Sequence, residues 1–151
     1  MATLSKLPVR NKVYAYIRRE KFQKAQLLVF EHVDFPEAGV QVPGGTVEYG
    51  EEFSIAALRE AEEETGLRGL CLKSRLGSVC RDMSGFGFNE VHHRHYYLLS
   101  CPDCEKEEWI AFEESPSDGS EGPIAFWFYW IDVDAVPPLL GGMEEMVSRL
   151  G

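Results

Sequence analysis

REAEEETGL, running from Arg59 to Leu67, places four glutamates among the five positions 60 to 64. The surrounding pattern predicts a helix over Glu52 to Thr65. Gly66 follows at the position where a left-handed residue ends a helix. On a helix, like charges three and four apart repel by roughly 0.2–0.5 kcal/mol per pair, so this cluster needs a counter-charge. At about 100° per residue, Glu60, Glu63 and Glu64 share one arc, beside the apolar arc of Phe53, Ala57, Leu58 and Ala61. Three carboxylates at the edge of a packed face make a hard-oxygen site suited to Mg²⁺, whose charge offsets the repulsion. Arg59 stands four residues before Glu63 and can orient it. Glu51 and Glu52 suit the positive end of the helix dipole. Upstream, Gly44 and Gly45 allow close backbone approach, bringing a main-chain carbonyl within reach of the cation.

An acidic helix of this kind, taken alone, is a solvated face. The spacing says more: Gly45, five residues, Glu51, seven residues, then Arg59, Glu60, Glu63, Glu64, Gly66 and Leu67. This resembles the Nudix box, G-x5-E-x7-R-E-U-x-E-E-x-G-U, where U is aliphatic. Ala61 fills the first U position with a small side chain, a departure from the larger aliphatics.

The resemblance implies an α/β fold, a Nudix-type α/β/α sandwich with a central mixed β-sheet. It implies a hydrolase that cleaves a nucleoside diphosphate linked to another moiety, through water activated by Mg²⁺ or Mn²⁺; a nucleoside triphosphate pyrophosphohydrolase is one form. By motif position Glu60, Glu63, Glu64 and the Gly44 carbonyl are the metal ligands. Glu63, Arg59 and Glu51 are the catalytic set, with Arg59 orienting the glutamates and Glu51 supporting them. Glu63 is the first choice of general base. The family also draws its base from a later loop, and Glu105, Glu107, Glu108, Glu113, Glu114 and Glu121 are available there. Relatives often form homodimers. The alternative is a noncatalytic module of the same fold that binds a nucleotide or metabolite and regulates a partner.

Composition narrows the partners. A chain of 151 residues, 44% apolar and 26% charged, is most simply one domain spanning residues 1–151. Acids outnumber bases 25 to 15, a net charge of −10. This disfavours binding a nucleic-acid polymer through its backbone and leaves a small phosphorylated nucleotide as substrate. The first residues lack the basic-then-apolar layout of a signal peptide. The longest strongly apolar run, Ile124 to Ile131, is too short for a membrane helix and reads as a strand buried on both faces. A cytoplasmic protein without membrane contact is expected.

Strands are predicted at Lys12–Arg19, Ala25–His32, Leu70–Asp82 and Val91–Ser100, and a short one ahead of a Gly44-Gly45 turn. A short helix is predicted at Glu105–Glu114 within the acidic segment, and a C-terminal helix at Gly141–Leu150. In "HHRHYY", alternation puts His93 and His95 on one face and Arg94 on the other. Arg94, Arg81, His93 and His95 are the candidate substrate contacts. Cys101-Pro-Asp-Cys104 has redox or half-zinc spacing, but no second close pair completes a zinc site. Cys71 and Cys80 are expected to be buried.

Overall fold

The computed structural model describes residues 7–113 and 122–150; Glu114 and Glu121 lie outside them. In chain order the elements are β1 (Val9–Lys21), β2 (Lys24–His32), β3 (Gly44–Thr46), α1 (Phe53–Thr65), β4 (Cys71–Asp82), β5 (Val91–Ser100), β6 (Glu108–Glu113) and β7 (Ile124–Asp132). A 3-10 helical segment, Leu140–Leu150, closes the chain. The main sheet runs β4-β5-β1-β2-β7-β6, and β3 adds to β1. β1 and β5 are parallel and the other pairs antiparallel, so the sheet is mixed. Among the described residues no helix is long and apolar enough to cross a membrane.

The period-2 pattern of β1 divides the core. Val13, Ala15 and Ile17 point to α1, joined by Leu28, Phe30, Leu99 and Phe128. Tyr14 and Tyr16 point the other way, joined by Leu27, Val29, Tyr96 and the apolar side chains of the C-terminal segment. The sheet is thus covered by helix on both faces, the layer order expected of a buried mixed sheet. Ala56, Ala57 and Ala61 are fully buried and bring α1 close to the strands. Gly66 ends α1 with φ 77°, its N–H donating to the Glu62 carbonyl at 3.0 Å. Trp109 Nε1 donates to the Thr65 carbonyl at 2.8 Å, so β6 satisfies one of the carbonyls that a helix end leaves open.

Four expectations change. The predicted helix at Glu105–Glu114 is instead strand β6. Its residues alternate outward and inward, with Trp109 and Ala111 facing the core, and the whole strand pairs with β7. Gly44 and Gly45 lie in strand β3 rather than in a turn, opposite Tyr14 and Val13. Cys71 and Cys80 are exposed, because β4 is an edge strand with much of its surface uncovered. The apolar run of β7 is not buried throughout: Trp127 is 37% exposed.

Arg94 and Arg81 anchor the C-terminal segment. Arg94 Nη1 donates to the Gly141 carbonyl at 2.6 Å and to Glu145 at 3.2 Å. Arg81 donates to Glu145 at 2.8 Å, and the Tyr96 hydroxyl donates to it as well. Gly142, at φ 76°, leaves room for Arg81: a Cβ there would sit 2.7 Å from Nη2.

Candidate active site

The box glutamates leave α1 in different directions. Glu64 is buried, and its Oε1 accepts the Gly44 N–H at 2.9 Å. Glu60 is largely buried and lies over Gly45, where a Cβ would come within 2.5 Å of its Oε2. Only glycine at 45 permits that approach. Glu63 is the exposed member, with its side chain 62% accessible.

Arg59 ties the cluster to the loop before α1. It grips Glu51 with two bonds, Nε to Oε2 at 2.7 Å and Nη2 to Oε1 at 2.8 Å. Its Nη1 donates to Glu60 at 2.9 Å and reaches Glu63 at 3.4 Å. The main partner of Arg59 is therefore Glu51, and the i,i+4 contact with Glu63 is secondary. A planar guanidinium suits this multiple grip and an ammonium does not. Arg59→Lys is expected to lower activity by about 10- to 100-fold, the scale for residues that orient metal ligands. The check is kcat/KM against an unchanged melting temperature.

The electrostatics are those of an anionic pocket short of positive charge. Burial pushes the Glu64 carboxyl well above the usual range; the Gly44 N–H opposes this, while Glu60, Glu113 and Glu63 add to it. Burial also raises the Glu60 carboxyl, opposed by Arg59 and reinforced by Glu63 and Glu113. Glu51 is held below the usual range by its bonds from Arg59. Glu60, Glu63 and Glu113 all act electrostatically on the buried Glu64, and carboxylate oxygen is the donor type that hard divalent cations take. Among the described residues no three His, Cys, Asp or Glu side chains are drawn together as a closed cage. In this arrangement Glu60 turns to Arg59 and Glu64 to Gly44.

Among the described glutamates of the acidic segment, Glu113, at the end of β6, is the one in electrostatic contact with Glu60 and Glu64. Glu107 is instead held by Arg19 and Lys21. Lys12 was not anticipated from the sequence. Its Nζ donates to Thr46 Oγ1 at 2.6 Å and it interacts with Glu60. The pairing of β1 with β3 that brings it there is non-local and leaves no sequence signal.

The candidate substrate contacts fall on two faces. His93 and His95 stack on each other on the α1 side, with His95 against Phe53 at 4.0 Å between ring centroids. Burial, with the charges of His93 and Arg75, brings the His95 pKa down to about 4, so it stays neutral near pH 7. Arg94 and Arg81 lie on the opposite face, committed to Glu145.

A NUDIX domain model matches residues 8–150. The RNA pyrophosphohydrolase of Bartonella quintana (strain Toulouse) is 27% identical over 124 residues, covering 72% of this chain and 65% of the relative, just under two thirds of its length. Among solved structures, a C. elegans Ap4A hydrolase superposes with a TM-score of 0.63 at 19% identity, over 94% of this chain and 93% of that one. A MutT NUDIX hydrolase from Burkholderia pseudomallei superposes with a TM-score of 0.62 at 24% identity, over 95% and 98%. These structural likenesses establish the fold.

Proposed function

The chain belongs to the NUDIX domain family, and on that premise we propose that it is a hydrolase of a nucleoside diphosphate linked to a second group, with Mg²⁺ or Mn²⁺ as cofactor. One observation carries this: the buried Glu64, braced by the Gly44 N–H, stands in electrostatic contact with Glu60, Glu63 and Glu113 beside the Arg59 clamp. Glu60, Glu63, Glu64 and the Gly44 carbonyl would hold the cation. When bound, it neutralises the diphosphate and lowers the pKa of the attacking water.

The chain's own residues supply the rest. Arg59 fixes the heading of Glu60 and couples the helix to the Glu48–Glu51 turn, where the Glu48 N–H donates to Glu51 at 3.1 Å. Glu63, facing solvent, takes the proton of the attacking water at its carboxylate; Glu113 is the second candidate for that proton. Lys12 supplies fixed positive charge beside Glu60.

The net charge of −10 favours a small nucleotide. The curated relative's name adds an RNA substrate to the list, and the C. elegans neighbour's adds a dinucleoside polyphosphate. A cytoplasmic setting, a single domain and a homodimer belong to the same proposal.

The test is a panel of nucleoside triphosphates, dinucleoside polyphosphates, nucleoside diphosphate derivatives and a 5′-triphosphorylated RNA, each with Mg²⁺ and with Mn²⁺. Turnover of at least one member is expected, abolished by EDTA and lowered by about 10²-fold or more in Glu63→Gln, the low end of what general base catalysis contributes. No turnover on any member overturns the hydrolase. Calorimetric binding without turnover would identify the noncatalytic module instead.

A further inference from the structure

The connection from β5 to β6 opens with Cys101, Pro102, Asp103 and Cys104, and these residues form a turn. The first and fourth Cα atoms of a β-turn lie within about 7 Å. A disulfide spans about 4.4–6.8 Å between Cα atoms. A turn of this kind brings its first and fourth residues close to the range that a disulfide spans.

Its ends are fixed. The Cys101 N–H donates to the Arg18 carbonyl at 3.0 Å. The Cys104 carbonyl accepts from Arg19 Nη1 at 3.2 Å. Arg19 is itself buried, bonded to Glu107 at 2.6 Å and stacked over Trp130 at 4.3 Å. Cys104 is a neighbour of Cys101 close enough to push its thiol pKa upward. Both line a cavity of about 320 Å³, flanked by Arg68, Asp103 and Lys106. Cys104 is half-buried, and Cys101 is 6% exposed.

We propose that Cys101 and Cys104 form a thiol–disulfide exchange site that closes to an intramolecular disulfide on meeting a low-molecular-weight disulfide of the glutathione class. The Cys104 thiolate attacks one sulfur of the reagent. The reagent's S–S bond breaks, and one thiol departs with the electron pair and gains a proton. Cys101 then gives up its proton to solvent and attacks the Cys104 sulfur, forming the Cys101–Cys104 bond and releasing the second thiol. The protein dithiol loses two electrons and two protons, and the reagent gains both. Burial pushes the Cys101 thiol up to about 12, with the adjacent Cys104 adding to the shift, so the more accessible Cys104 attacks first.

Cys71 and Cys80 cannot do the same with each other. They sit nine residues apart along β4, about 30 Å at strand rise. Nothing in this site depends on the hydrolase activity or on the box glutamates.

The test uses the full chain carrying Cys71→Ser and Cys80→Ser. The reduced protein is equilibrated with graded mixtures of reduced and oxidised glutathione, quenched in acid, treated with N-ethylmaleimide and weighed intact. The expected result is a single transition from two maleimide adducts to none, giving a protein two hydrogens lighter. Its digest contains a peptide linking Cys101 to Cys104. Adding Cys101→Ser is expected to stop the reaction at one glutathione on Cys104. Two maleimide adducts at every ratio would overturn the proposal. So would glutathione adducts accumulating on the intact pair in place of the ring.

Discussion

Glu64→Gln is expected to lower kcat for diphosphate hydrolysis by about 10²- to 10³-fold, the scale for losing one group that stabilises developing charge in a dry site. The fold should remain intact. The substitution is isosteric, and the glutamine carbonyl oxygen still accepts the Gly44 N–H that now meets Glu64 Oε1 at 2.9 Å. Removing the charge also removes the repulsion from Glu60, Glu113 and Glu63. In metal-free buffer the variant should therefore melt at or above the wild-type temperature. Adding Mg²⁺ should raise the wild-type melting temperature, because a ligand that binds only the native state stabilises it, and should leave the variant unmoved. A structural role for Glu64 would show the reverse, with lost stability and an unchanged response to the cation. Activity within tenfold of wild type would remove Glu64 from the metal site.

The helix was legible because its pattern is local. The apolar period, the glutamate arc and the Gly66 stop all lie within fifteen residues, and α1 forms over Phe53–Thr65 with its predicted cap. Which glutamate is buried was not legible. Glu63 and Glu64 are neighbours in sequence and share one arc of the wheel, yet one is exposed and the other buried. That difference is set by how α1 rolls against β1 and β3. The same limit explains β6. The segment EWIAFE satisfies a helical or a strand pattern equally, and pairing with β7, nineteen residues further on at Trp109↔Phe128, decides between them. Alternation along β5 correctly separated His93 and His95 from Arg94. It gave no sign that Arg94 would be occupied by a carboxylate 51 residues downstream.

That carboxylate supports the largest stability effect expected here. Glu145→Ala should destabilise the fold by about 3–5 kcal/mol, the range for stranding one member of a buried ion pair. Arg94 is only 2% exposed at its side chain, and it would retain a single strong acceptor, the Gly141 carbonyl. Arg81 and the Tyr96 hydroxyl would lose the same partner. Burial favours protonation of Glu145, but the bonds from Tyr96, Arg81 and Arg94 outweigh it and hold the carboxyl below its usual range. A lowered native pKa means that the native state binds fewer protons than the unfolded chain. Its contribution is therefore present above the unfolded carboxylate pKa of about 4.3 and disappears as pH falls through the lower native value. Urea unfolding at pH 7 should show the full loss in the midpoint, and the gap between wild type and variant should narrow in acid. The double variant Arg94→Met/Glu145→Leu should recover much of the stability, since the penalty comes from an unpaired charge and not from missing contact. A loss below about 1 kcal/mol for Glu145→Ala, the scale of an exposed pair, would mean that the C-terminal segment is not clamped to β5 by this charge.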